Sequence, residues 1–135
     1  MSPTANRLRL SATLVALVVA LTGCAGQSSE QPGEHEVITV GLRFMPDTIT
    51  VAVGTTVTWR NGETIGHTIT SGAWGDVNES TGLRGEQAAD GLFDHALAPA
   101  GQPGDEFSFT FTEPGEYLYF CQPHLTMNAR VIVEE

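Results

Sequence analysis

Cys121-Gln-Pro-His124-Leu-Thr-Met127 puts a thiol, an imidazole and a thioether within seven residues, directly after the strand-like run Glu116-Tyr-Leu-Tyr-Phe120. A second imidazole, His67, sits at the end of another strand-like run far upstream. A cysteine thiolate, two imidazoles and a weak axial methionine make up the donor set of a type I copper centre, which passes single electrons. Zinc is served worse by this set, because a thioether is too soft and too weak a ligand for it. Each residue alone has a plainer reading. Cys121 is a small buried hydrophobe, Met127 is core filler, and His67 and His124 are surface histidines. Only their joint placement at strand ends points to a metal. His35 and His95 read as surface-loop residues with no ligand role.

The elements that must position these donors are strands. Ile49, Val51 and Val53 alternate with polar or small residues, as do Val57 and Trp59, Phe107, Phe109 and Phe111, and Val131 and Val133. Period two with β-branched and aromatic residues marks half-buried strands. Gly54, Asn61-Gly62, Gly72, the stretch from Pro99 to Gly104, and Pro114-Gly115 punctuate them. The expected fold is all-β, an antiparallel Greek-key sandwich of about seven to eight strands. Cys121 then ends one strand, Met127 precedes the next, and His67 enters from a neighbouring strand at the same end. The Gly-rich, acidic segment from Trp74 to Asp90 is expected to be a loop, with room for one short helical turn.

Over residues Val37 to Val133 the sequence resembles the cupredoxins, and the plastocyanin–amicyanin group most closely. The resemblance rests on Phe44-Met-Pro46, Val57-Thr-Trp59, Gly66-His67-Thr68, Phe107-Ser-Phe-Thr-Phe111 and the run from Pro114 through Cys121 to Met127. Two residues separate His124 from Met127, the shorter spacing typical of amicyanins. The resemblance implies one copper ion, bound by His67, Cys121, His124 and Met127, with electrons passing through the edge of His124. It implies an apolar rim there, formed by Pro123, Leu125, Met45 and Pro46. Two positions depart from the family. Thr68 stands where an asparagine often stiffens the ligand loop, and Gly66 stands where proline is common.

The N-terminus carries an address. Arg7 and Arg9 precede the apolar run Leu14-Val-Ala-Leu-Val-Val-Ala-Leu21, far short of the roughly 20 residues that span a bilayer. This is the pattern of a secretory signal. It ends in Leu21-Thr-Gly-Cys24, which resembles a bacterial lipobox and implies cleavage before Cys24 and acylation of its sulfur. One acyl chain anchors marginally, at about 0.8 kcal/mol per buried methylene, and two chains suffice for stable attachment. The expected layout is a lipoprotein-type signal peptide over 1–23, a lipidated flexible tether over 24–35 and one copper-binding domain over 36–135. The tether reaches about 20 Å. Lipidation uses Cys24 and leaves Cys121 as the one free thiol, so no internal disulfide can form; a metal explains an unpaired cysteine in an exported protein.

Six arginines and no lysine stand against sixteen acids, for a formal charge of −10. Loss of Arg7 and Arg9 with the leader takes that charge from −10 to −12. Nucleic acid needs a basic face and is excluded as a partner. The acidic surface reads first as a solubilising one, and second as a means of steering toward basic redox partners. Related copper chemistries lack their residues here. The ligand loop has one cysteine where a dinuclear centre needs two, and there is no His-x-His pair for a trinuclear cluster. The expected function is therefore that of a monomeric electron carrier, not an enzyme. It is exported and lipid-anchored at the outer face of the cytoplasmic membrane or in the periplasm, serving a protein donor and acceptor. The alternative is a module that stores or delivers copper, or an accessory copper-binding domain.

Overall fold

The computed structural model describes residues 31–135. The expected leader, Cys24 and most of the tether lie outside the described residues. From residue 36 onward the chain forms nine strands, and among the described residues there is no helix. They are β1 (Glu36–Thr39), β2 (Phe44–Met45), β3 (Thr48–Ala52), β4 (Thr56–Asn61), β5 (His67–Ala73), β6 (Ala88–Leu97), β7 (Glu106–Thr110), β8 (Gly115–Phe120) and β9 (Asn128–Glu134). One sheet has the order β2-β1-β4-β7 and the other β3-β9-β8-β5-β6. The all-β sandwich expected from the sequence stands. Its sheets are mixed rather than wholly antiparallel, because β1 pairs with β4, and β3 with β9, in parallel.

The alternating residues bury one face of each sheet. Val51, Val57, Val131 and Val133 are all buried in one core with Trp59 at its centre. The Trp59 ring lies 5.4 Å from Tyr119, 5.7 Å from both Phe93 and Phe107, and 6.4 Å from Phe111. Stacked, tilted and edge-on aromatic pairs of this kind stabilise the core beyond the area they bury. Val53 is the exception among the predicted inward residues. It lies one residue past the end of β3 and is exposed.

β6 was not apparent from the sequence, and His95 is the reason. Phe93 and Leu97 are buried at period two, and His95 occupies the slot between them. Its ring lies flat on Phe107 of the opposite sheet, with centroids 4.8 Å apart and planes within 13°. His95 is thus a half-buried strand residue, not the surface-loop residue the sequence suggests, and it has no place at the metal centre. His35 does lie exposed in a turn before β1.

The segment preceding β6 holds no helix, but it makes one helix-like turn, in which Asn78 O accepts from Gly82 N–H at 2.8 Å and Thr81 N–H at 3.2 Å. It doubles back through a bridge between Val77 and Arg84 and rejoins β5 where Ala73 pairs with Ala88. Between the pairs Thr70–Asp94 and Gly72–Ala89 the chain advances five residues on β6 (94 − 89) but two on β5 (72 − 70), so β6 carries a bulge of three extra residues (5 − 2). Gly72 permits this. Its φ is +140°, and a Cβ there would run into the Ala88 carbonyl oxygen. Gly72→Ala is therefore expected to destabilise the domain by about 2 kcal/mol or more, lowering Tm by roughly 10 °C. Gly91→Ala, at φ +80° with open space around it, is expected to cost about 1 kcal/mol. Thermal unfolding of the metal-free proteins checks the contrast.

Candidate metal centre

Three adjacent strands of the larger sheet, β5, β8 and β9, end at one edge of the sandwich, and the predicted donors are found there. His67 is the first residue of β5, Cys121 follows β8, and Met127 precedes β9. His124 lies on the loop between β8 and β9. That loop is a closed turn: Met127 N–H donates to His124 O at 2.9 Å, and Cys121 N–H donates to Met127 O at 3.0 Å.

The donor atoms of His67, Cys121 and His124 all lie within 4.8 Å of one another. Cys121 Sγ is 3.4 Å from His124 Nδ1 and 3.9 Å from His67 Nδ1, and the two Nδ1 atoms are 3.2 Å apart. A trigonal metal with bonds of about 2.0 Å to nitrogen and about 2.3 Å to sulfur would hold the S–N pairs roughly 3.8 Å apart and the N–N pair roughly 3.5 Å apart. The donors already stand within a few tenths of an ångström of those spacings, so the residues fit one ion. Two imidazole nitrogens this close cannot both carry protons toward each other, and a shared cation satisfies both lone pairs. Met127 is fully buried in the same core cluster as Cys121. His67 and Cys121 are buried as well, while His124 is half-exposed.

Cys121 and His67 are each held by a neighbouring residue. Thr68 N–H donates to Cys121 Sγ at 3.3 Å. The Thr68 hydroxyl accepts from Gln122 N–H at 2.8 Å. It also lies 3.0 Å from the Thr70 hydroxyl, which donates to Asp94 at 2.9 Å. Thr68 therefore ties the strand of His67 to the loop of Cys121, the work that the family resemblance assigns to an asparagine. The other ring nitrogen of His67, Nε2, sits 3.1 Å from Glu63 Oε2. The pair attract, although the N–H is not aligned for a good hydrogen bond. A carboxylate beyond a ligating histidine orients the ring and raises its basicity.

Glu63 and Asn61 are the residues that sequence reasoning missed. Asn61 is 1% exposed, yet every polar group of its side chain is used. It accepts from Thr39 Oγ1 at 2.6 Å and from Glu63 N–H at 2.9 Å, and it donates to Ile65 O at 2.7 Å and Ala98 O at 2.8 Å. This hub shapes the turn that delivers both Glu63 and His67. In the sequence, Asn61-Gly62 signals a turn, and an acid four residues before a histidine signals nothing by itself.

Burial pushes the Cys121 thiol up, against the opposing pull of the Thr68 N–H. Burial likewise pushes the His67 imidazole down, with Glu63 pulling the other way. At neutral pH the metal-free centre thus holds a protonated thiol and a neutral His67. Metal binding must displace the thiol proton, so affinity falls as pH falls. Uptake of one metal ion near pH 7 is expected to release about one proton, and titration calorimetry in buffers of differing ionisation enthalpy checks this.

Comparison with known proteins agrees with this geometry. Residues 33–134 match the model of the family described as copper binding proteins, plastocyanin/azurin family. The chain is 34% identical over 93 residues to amicyanin from Paracoccus denitrificans, covering 69% of this chain and 60% of that protein. It therefore spans a little under two thirds of the amicyanin's length. It is 32% identical over 118 residues to halocyanin from Natronomonas pharaonis, covering 81% of this chain and 63% of that protein. Among solved structures, a purple cupredoxin from Nitrosopumilus maritimus superposes with a TM-score of 0.55 at 30% identity, covering 73% of this chain and 98% of the other. With the sandwich, the strand-end donors and the family match in agreement, the chain belongs to the plastocyanin/azurin family of copper-binding proteins, the cupredoxins.

Proposed function

We propose that the protein is a type I copper electron carrier, with His67, Cys121 and His124 as equatorial ligands and Met127 as the axial one. The observation that carries this reading is the convergence of Nδ1, Sγ and Nδ1 from 67, 121 and 124 on one point, beside a fully buried methionine. Copper in such a donor set supplies a one-electron couple. The protein keeps the donors from moving, and that lowers the barrier to exchanging the electron. Strand ends, the Thr68 hydrogen bonds and the Asn61 hub all serve that rigidity. His124 is the half-exposed ligand, with Pro123 and Leu125 exposed beside it, and Met45 at the end of β2 and Ile65 in the turn before His67 are further exposed apolar residues. A small apolar surface suits brief redox encounters, which bury little area.

Storage or delivery of copper fits less well. Three of the four donors are buried, so release would require the sandwich edge to open. Catalysis is not part of the reading, because among the described residues one cluster of possible metal ligands is found, that of His67, Cys121 and His124. The Leu21-Thr-Gly-Cys24 motif supports export and lipid attachment at the outer face of the cytoplasmic membrane, with a protein donor and acceptor.

The copper-loaded protein is expected to be intensely coloured, with the small copper hyperfine splitting of a type I site, and to give reversible one-electron voltammetry. Cys121→Ser is expected to lose the colour, because the absorption is charge transfer from sulfur to Cu(II). A colourless wild type, or a Cys121→Ser variant that stays coloured, would overturn the ligand assignment. Fast copper loss to a weak chelator would favour the delivery role.

Met127→Leu should retain copper and colour while raising the reduction potential, since removal of an axial donor disfavours Cu(II). An unchanged potential by voltammetry would show that Met127 is not axial. Cys24→Ser should move the protein out of the membrane fraction or block its processing. Wild-type fractionation and maturation of that variant would refute lipidation.

A further inference from the structure

The segment between β5 and β6 touches the metal centre at one place. Gln87 Nε2 donates to the backbone carbonyl oxygen of Cys121 at 3.1 Å. That carbonyl belongs to the Cys121–Gln122 peptide, whose N–H is already bonded to the Thr68 hydroxyl at 2.8 Å. The peptide plane leaving Cys121 is therefore gripped at both polar ends. On the other side of the residue, Cys121 N–H is bonded to Met127 O. Of these contacts, the one to Gln87 alone comes from outside the ligand strands and their loop.

The segment is built to deliver that contact. Trp74 Nε1 donates to Ala129 O of β9 at 3.4 Å, and Arg84 lies over the Trp74 ring at 4.4 Å. Arg84 also donates to Gly75 O at 3.1 Å, and Gly75 N–H donates to Gly85 O at 2.9 Å. Glu86 turns the chain through a left-handed conformation, φ +57°, immediately before Gln87. Alternation along β8 sends Tyr117 and Tyr119 into the core and Phe120 to the other face, yet Phe120 is 2% exposed. Something covers that outer face next to Cys121, and the segment of Trp74 and Gln87 is bonded to both ends of the area, at Ala129 and at Cys121.

We infer that Gln87 is a positioning residue for the metal centre. Its amide fixes the Cys121–Gln122 peptide, and through it the direction of the Cys121 sulfur, so that the segment from Trp74 to Gln87 acts as a clamp on the ligand loop. The inference rests on the copper reading above. Groups that orient a ligand from behind typically alter metal affinity 10- to 100-fold when removed. Gln87→Met keeps the length of the side chain and removes the donor. Gln87→Lys restores a donor of similar reach. Gln102→Met, on an exposed turn, is the control.

The experiment loads the full chain with copper and measures the rate of copper loss to a chelator, the paramagnetic-resonance spectrum and the reduction potential. Thermal unfolding of the metal-free variants runs alongside. Gln87→Met should lose copper about 10-fold faster or more, with an altered hyperfine splitting and a shifted potential. Gln87→Lys should restore a copper-loss rate near that of wild type, and Gln102→Met should match wild type throughout. A purely structural role would lower the melting temperature of Gln87→Met while leaving the spectrum and potential untouched, and that result would overturn the inference. So would a Gln87→Lys protein as leaky as Gln87→Met. If Gln87→Met does not fold, Gln87→Lys against wild type decides alone, since a retained donor must retain the spectrum. A wild type without a type I spectrum would overturn the copper reading itself, whatever the variants do.

Discussion

A sulfur and two imidazole nitrogens from positions 67, 121 and 124 must share one point, and the pairing of β5 with β8 makes this possible. Thr70 opposite Phe120 and Ser71 opposite Tyr119 set a register that brings the start of β5 alongside the end of β8. The Thr68 N–H then points at Cys121 Sγ, and the Thr68 hydroxyl meets Gln122 N–H. A slip of one residue would turn every side chain on one strand to the other face. A slip of β5 would take His67 out of the interior, and a slip of β8 would take Tyr119 away from Trp59. The packing of the core and the geometry of the metal centre thus depend on the same register.

Around that register the protein places the buried polar residues Thr39, Asn61, Thr70 and Ser71, and each of them is hydrogen-bonded. Asn61 uses all four of its hydrogen-bonding positions below the surface. Ser71, 1% exposed, donates within the β6 bulge and accepts from Phe93 N–H at 2.8 Å. A buried network with every member paired rigidifies, whereas one left half-paired is costly. The metal centre benefits, because its donors sit at the ends of strands whose connecting turns cannot relax. The charges follow the same division. The acidic groups are mostly at the surface, and Glu63 is the carboxylate that reaches a buried ligand.

The long connection between β5 and β6 has a defined task in this arrangement. It lies beside the outer face of the larger sheet, bonded to Ala129 at one side and to Cys121 at the other. Gly72 makes its return possible by letting the Ala88 carbonyl approach the backbone of β5. Its polar, glycine-rich composition suits a covering layer, which needs hydrogen bonds and turns more than apolar bulk.

The sequence by itself determined the chemistry and the class of fold. A cysteine, a histidine and a methionine at close spacing after a strand cannot avoid meeting near one another, because the connecting loop is short. Strict alternation in β3, β4 and β9 likewise leaves one face apolar and one polar. What tertiary structure alone decided are the contacts between distant positions. Parallel pairing of β1 with β4 and of β3 with β9 leaves no local mark, since either direction suits the same alternating residues. β6 was hidden because His95 fills an inward slot, and its partner, the flat face of Phe107, comes from the other sheet. Glu63, Asn61 and Gln87 are ordinary polar residues in the sequence. They acquire roles at the centre only because the fold sets a ring nitrogen, two carbonyls and the Cys121 peptide within their reach, and polar contacts of about 3 Å are not encoded by spacing along the chain.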